Sequence, residues 1–149
     1  MMSPTAAAPT ADAAAPPGAA LLDVLDPSPG AHALVIGRAT LEMLCGLLRR
    51  GCAGAAEWRP DEAGLPTPDC VQLVVLTDPA SLHEAATLVA IGRRALRQGG
   101  RIAVRDAGGR RSRVLAALLR AQGFVAVSTQ DTADGALVFG DCPAPSAHA

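Results

Sequence analysis

Four apolar residues, Ala33-Leu34-Val35-Ile36, run into Gly37, and an apolar-periodic segment follows from Thr40 to Arg50 before Gly51. A short continuous apolar run that ends at a glycine and enters a helix is the pattern of a buried parallel strand turning into its crossover helix. That single unit constrains the rest. A parallel strand buried on both faces belongs to a sheet covered by helices on both faces. Thr40 is placed to act as N-cap and Gly51 as the stop, with Leu41, Leu44, Cys45 and Leu48 at i, i+3, i+4 and i+7 as one apolar stripe.

Other stretches repeat the alternation. Residues 53–58 are a second, alanine-rich strand. Val71-Gln72-Leu73-Val74-Val75-Leu76 is an apolar, β-branched strand, and Asp78-Pro79 reads as an N-cap with proline at the first helical position. The helix it opens is expected to run to Arg97 and stop at Gly99-Gly100, with Gly100 in the tight turn before a strand over 101–105. A helix over about 110–122 shows Val114, Leu115, Leu118 and Leu119 on one side, and 124–128 with 136–139 form a closing antiparallel pair. The order predicts an α/β fold with a mainly parallel sheet, in a domain over 21–140. Residues 1–20, alanine- and proline-rich, and 141–149 are expected to be flexible tails.

The composition excludes several chemistries. All 13 basic residues are arginine, and lysine, asparagine and tyrosine are absent, a bias that fits a GC-rich genome. Without lysine there is no P-loop, no Schiff base and no phosphate-binding lysine. A net charge of −1 gives no electrostatic case for nucleic acid or an anionic membrane. Cys45, Cys52, Cys70 and Cys142 contain no C-x-x-C pair and lie at no ligand spacing from a histidine, so no metal site is expected. Cys45 and Cys70 fall on apolar faces and read as buried small hydrophobes. With no secretory signal and no run of membrane-spanning length, the expected location is the cytoplasm.

Three motifs carry a family resemblance over about 33–140. Arg94-Ala95-Leu96-Arg97-Gln98-Gly99-Gly100-Arg101-Ile102 resembles the R-x-L-x-P-G-G-x-L helix–turn–strand of class I S-adenosylmethionine-dependent methyltransferases, with Gln98 for proline. Leu119-Arg120-Ala121-Gln122-Gly123-Phe124 is similar to their L-x-x-A-G-F helix end, and Leu65-Pro66-Thr67-Pro68-Asp69 to their L-P-F-x-D approach to strand four. The resemblance implies a Rossmann-like sheet with an antiparallel C-terminal strand pair. It also implies S-adenosylmethionine as cofactor, bound around Gly37, Ala39, Glu57 and Trp58.

The chain departs from that family twice. Where members read acidic-x-G-x-G-x-G, this sequence reads Val35-Ile36-Gly37-Arg38-Ala39-Thr40-Leu41, keeping one glycine of three. Glycines there let the backbone approach the ligand, and side chains at Ala39 and Leu41 oppose it. The same Ala39 breaks a G-x-G-x-x-G dinucleotide fingerprint. Second, only the 11 residues 58–68 separate Glu57 from Asp69, too few for the helix and third strand a full member places there. The fold is therefore expected to be shortened by about one helix–strand unit after strand two, leaving 53–58 as a sheet edge.

Glu57 stands at the position of the family's ribose-binding acid, or is a solvated end-of-strand carboxylate. Trp58 is an adenine-stacking candidate or a packing residue. His83 is a base candidate or an exposed helix residue, and Arg110 and Arg111 are anion-gripping candidates or a solvated loop. No catalytic residue is assigned. Two functions follow: a methyltransferase-like module that has lost catalysis and binds a protein partner or a second copy of itself, or a small methyltransferase with an atypical glycine loop. The degenerate methyltransferase-like domain of anamorsin-type proteins is a precedent for the first, without their cysteine-rich segment.

Overall fold

The computed structural model describes residues 19–25, 27–37, 40–59, 64–132 and 135–143. Its elements are α1 (Ala19–Leu25), β1 (His32–Gly37), α2 (Leu41–Arg49), β2 (Gly54–Trp58), β3 (Val71–Thr77), α3 (Leu82–Ala95), β4 (Leu96–Asp106), α4 (Ser112–Ala121), β5 (Val125–Thr132) and β6 (Gly135–Asp141). The strands form one sheet in the order β2-β1-β3-β4-β6-β5. The first four strands are parallel, and β6 is antiparallel to both β4 and β5. The expected α/β architecture with an antiparallel C-terminal pair is the one observed, and β2 is a terminal strand.

Alternation along the strands splits the core into two layers. Leu34 and Ile36 of β1, Val74 and Leu76 of β3, and Ile102 and Val104 of β4 face α3 and α4. Ala33 and Val35, Leu73 and Val75, and Ala103 face the other way, onto Leu22 and Leu25 of α1 and Met43 and Leu47 of α2. A period of two in a strand sends neighbours to opposite faces, so a strand buried on both sides is apolar throughout. Val35, Ile36, Val74, Val75, Leu76, Ile102 and Val104 are fully buried. Each such side chain contributes about 1.5–3 kcal/mol of transfer free energy.

Several local expectations need correction. The helix α3 begins at Leu82, not after Asp78: Ser81 is its N-cap and its hydroxyl accepts from Glu84 N at 3.0 Å, while Glu84 Oε1 accepts from Ala80 N at 2.9 Å. This reciprocal arrangement satisfies orphan donors more completely than an aspartate three residues upstream could. At its other end α3 stops at Ala95, because Leu96 turns extended and is buried on the sheet. The strand β4 therefore starts five residues earlier than 101, with a register shift opposite Val71 and Leu73. The positive φ of the turn is at Gly99 (+82°), whereas Gly100 is required for space: a Cβ there would stand 2.8 Å from the Leu96 side chain and 3.0 Å from the Gln72 carbonyl.

On α4 the buried residues are Leu115, Ala116 and Leu119, and Val114 is exposed. On α2 the stripe Leu41, Leu44, Cys45, Leu48 lies on the outer face, with Leu41 and Leu48 exposed and Leu44 packed partly against the core. Met43, Gly46 and Leu47 are buried instead. Cys45 and Cys70 are half-buried, and the buried thiols are Cys52 and Cys142.

Candidate functional site

Parallel strands bring their carboxyl ends to one side of a sheet, and helix N-termini and loops gather there. In this chain that side holds Gly37 at the end of β1, Thr40 at the start of α2, Glu57 and Trp58 at the end of β2, Thr77 at the end of β3 with Asp78 just after it, and Asp106 at the end of β4.

Gly37 has φ +142° and lies against Thr77 of β3, its register partner. A Cβ on Gly37 would be 2.2 Å from Thr77 Oγ1 and 2.9 Å from the Thr77 carbonyl oxygen. The glycine kept from the family's loop thus serves the close approach of β1 to β3. Ala39, the second loop position, lies outside the described residues.

Thr40 stands at the N-cap of α2 but makes no side-chain cap bond. Its hydroxyl donates instead to Glu57 Oε2. The other carboxylate oxygen of Glu57 pairs with Arg59 Nη2 at 3.2 Å. Both charged groups of that pair reach water, so the pair adds little stability, and its effect is to orient the carboxylate. Sequence reading placed Glu57 correctly at the end of the second strand and missed Thr40 as its partner. The two are 17 residues apart and meet only because β1 and β2 are adjacent.

Trp58 is buried in the core layer under α3 and α4, and its indole N–H donates to the Gly64 carbonyl at 3.3 Å. Its rings pack inside the protein and its one donor is engaged, as expected of an amphipathic aromatic.

A second polar cluster joins the ends of β3 and β4. Asp78 takes a left-handed φ of +48°, and its Oδ1 accepts from Ala107 N at 2.9 Å while Arg105 Nε lies 3.6 Å from Oδ2. Asp106 is buried and accepts from Arg111 N at 2.9 Å and from Arg111 Nη2 at 3.2 Å. The same Nη2 donates to the Pro79 carbonyl at 2.8 Å. Arg111 is thereby committed to holding the loop closed, and Arg110 is exposed. His83 is exposed on the first turn of α3.

Among the described residues no group of His, Cys, Asp and Glu is arranged to hold a metal ion. None of the described helices is long and apolar enough to cross a membrane. A groove of about 790 Å³ opens at the opposite, amino-end side of the parallel strands, between the Pro27–Ala31 turn, Gln72, Gly99 and the Arg101–Asp141 ion pair. The strand ends that converge with functional groups are at the other side, so the groove is not the candidate site.

With this geometry, the structure matches those of many S-adenosylmethionine-dependent methyltransferases. A complex of the Haloferax volcanii Trm112 methyltransferase activator with a methyltransferase matches at TM-score 0.64 and 14% identity, over 82% of this chain and 86% of that one. An O-methyltransferase of Thermotoga maritima matches at TM-score 0.63 and 14% identity, over 98% and 68%. A TehB-like methyltransferase of Corynebacterium glutamicum matches at TM-score 0.63 and 15% identity, over 93% and 95%. No protein-family model matches the sequence, and no curated protein matches it. The chain has the class I methyltransferase-like fold; at these identities the fold is what the structures share.

Proposed function

We propose that this chain is a methyltransferase-like module that no longer transfers methyl groups and acts by binding another protein. The observation that carries the reading is the engagement of Glu57. The acid that the family resemblance assigns to the ribose receives the Thr40 hydroxyl on one oxygen and pairs with Arg59 through the other. A ligand hydroxyl would have to displace these partners. Gly37 is explained by its contact with Thr77 whether or not a cofactor binds, and Trp58 is turned into the core. Among the described residues no strand lies beyond β2 to extend the site. Losing even ~3 kcal/mol of contact lowers affinity by more than a hundredfold. Partner binding suits the fold, because one of its structural relatives is a methyltransferase complexed with an activator protein.

Calorimetric titration of the full chain with S-adenosylmethionine tests this reading. No saturable heat up to about 1 mM ligand is expected. A low-micromolar dissociation constant would establish the alternative, a small methyltransferase with an atypical glycine loop. In its favour stands the position of Glu57, at the carboxyl end of β2 beside the start of α2.

A further inference from the structure

The helix α2 carries two apolar faces; one is buried in the core layer, and the other is largely exposed among the described residues, with Leu44 at its border packed partly on that layer. Met43, Gly46 and Leu47 are buried, and Leu22 of α1 packs on the Gly46 side. The opposite face presents Leu41, 70% exposed, and Leu48, 48% exposed, with Leu44 and Cys45 half-buried between them. These four residues fall at i, i+3, i+4 and i+7, a continuous strip along two turns. In the described part of the connection between β2 and β3, residues 64–70, there is no helix that could lie beside α2.

We infer that this strip is a homodimer contact, in which α2 packs antiparallel against α2 of a second copy of the chain. The proposal takes the interaction reading above one step further by naming the partner. Three features make the strip complementary to itself. A two-fold axis between Leu44 and Cys45 sets Leu41 opposite Leu48 of the other copy. It also sets the large Leu44 over the small Cys45, so that the helices can close on each other. Glu42 near the amino end and Arg49 at the carboxyl end are both exposed and seven residues apart, hence on one side of the strip. Reversing the second helix brings Glu42 of each copy to Arg49 of the other. A parallel two-fold arrangement would place the charged edges of the two copies on opposite sides of the contact, where neither meets its counterpart. The neighbouring Arg50 already pairs with Asp23 of α1 at 2.6 Å, which leaves Arg49 as the cation of the contact. Antiparallel helices also align their dipoles favourably.

The strip is smaller than the ~800 Å² per partner of a standard interface, so the dimer is concentration-dependent, in the micromolar range. Sedimentation of the full chain from about 1 μM to about 1 mM is expected to show monomer passing to dimer. Leu48→Glu should hold the chain monomeric with an unchanged circular dichroism spectrum, since the residue is half exposed. Glu42→Arg alone should raise the dimer dissociation constant about tenfold, and Glu42→Arg with Arg49→Glu should restore it. The native Cys45 thiols, beside the axis, should cross-link with a short bismaleimide. A monomer throughout the series overturns the proposal. So does a dimer indifferent to Leu48→Glu, or one that the double charge reversal fails to rescue. Cofactor titration of the same samples separates the two readings: a monomer that ignores S-adenosylmethionine defeats the homodimer alone, whereas tight cofactor binding defeats the non-catalytic reading and leaves the dimer measurement standing.

Discussion

A methyl group at Gly37 would collide with both the hydroxyl and the carbonyl of Thr77, at a backbone φ of +142° that L-residues rarely adopt. Gly37→Ala is therefore expected to cost about 2 kcal/mol or more, read as a lowered urea midpoint. The cost arises without any ligand, which separates a structural glycine from a cofactor glycine. Asp106 gives a parallel case. It is buried, and Arg111 holds it with both backbone and side chain. Arg111→Met strips the guanidinium from a buried carboxylate and should cost about 1–3 kcal/mol in the same measurement. Thiol chemistry is ordered by burial. Burial pushes the Cys52 thiol up from its ordinary value, so it stays neutral and enclosed at pH 7. Alkylation of the native chain at pH 7 should therefore modify Cys45 and Cys70 well before Cys52 and Cys142. Because a raised thiol value favours the fold only while the group is protonated, the Cys52 contribution is present below about pH 8.5 and is lost as the pH climbs through the raised value.

Elements were legible in the sequence wherever the pattern was long, and their ends were not. The strands β1 and β3 are apolar on both faces and stand where the sequence predicts. The misplacements came from rules that look alike locally. Asp78-Pro79 satisfies the helix-start pattern, yet Ser81 with Glu84 satisfies it better, and Asp78 instead takes a left-handed turn that binds Ala107. Ser81→Ala should cost about 1 kcal/mol, and Asp78→Ala should leave the helicity of α3 unchanged by circular dichroism. In the same way the i, i+3, i+4, i+7 rule found the apolar strip of α2 but not which side faces the sheet, because Met43 and Leu47 make a second apolar side. At the turn into β4, two adjacent glycines divide two duties. Gly99→Ala is opposed by its φ of +82°, and Gly100→Val by the Leu96 side chain and the Gln72 carbonyl. Each should lower the melting temperature, with a cost of about 1–2 kcal/mol for the first. The polar partners Thr40–Glu57 and Arg111–Pro79 were invisible because they depend on strand adjacency, which no local pattern encodes.

At the scale of the molecule, the sheet order β2-β1-β3-β4-β6-β5 ends at a strand of glycine, alanines, Glu57 and Trp58. The shortening was readable from the 11 residues between Glu57 and Asp69, since a crossover that also builds another strand needs more chain. Its consequences meet at one place. The terminal strand carries the acid of the candidate site, that acid is engaged by Thr40 and Arg59, and α2 shows an outer apolar strip nearby. The most direct measurement is an amide-resolved NMR titration of the full chain with S-adenosylhomocysteine, following Gly37, Thr40 and Glu57. No saturable shift at these amides is expected up to about 1 mM ligand. Saturable shifts centred on them, with a low-micromolar dissociation constant, would contradict the loss of the cofactor site.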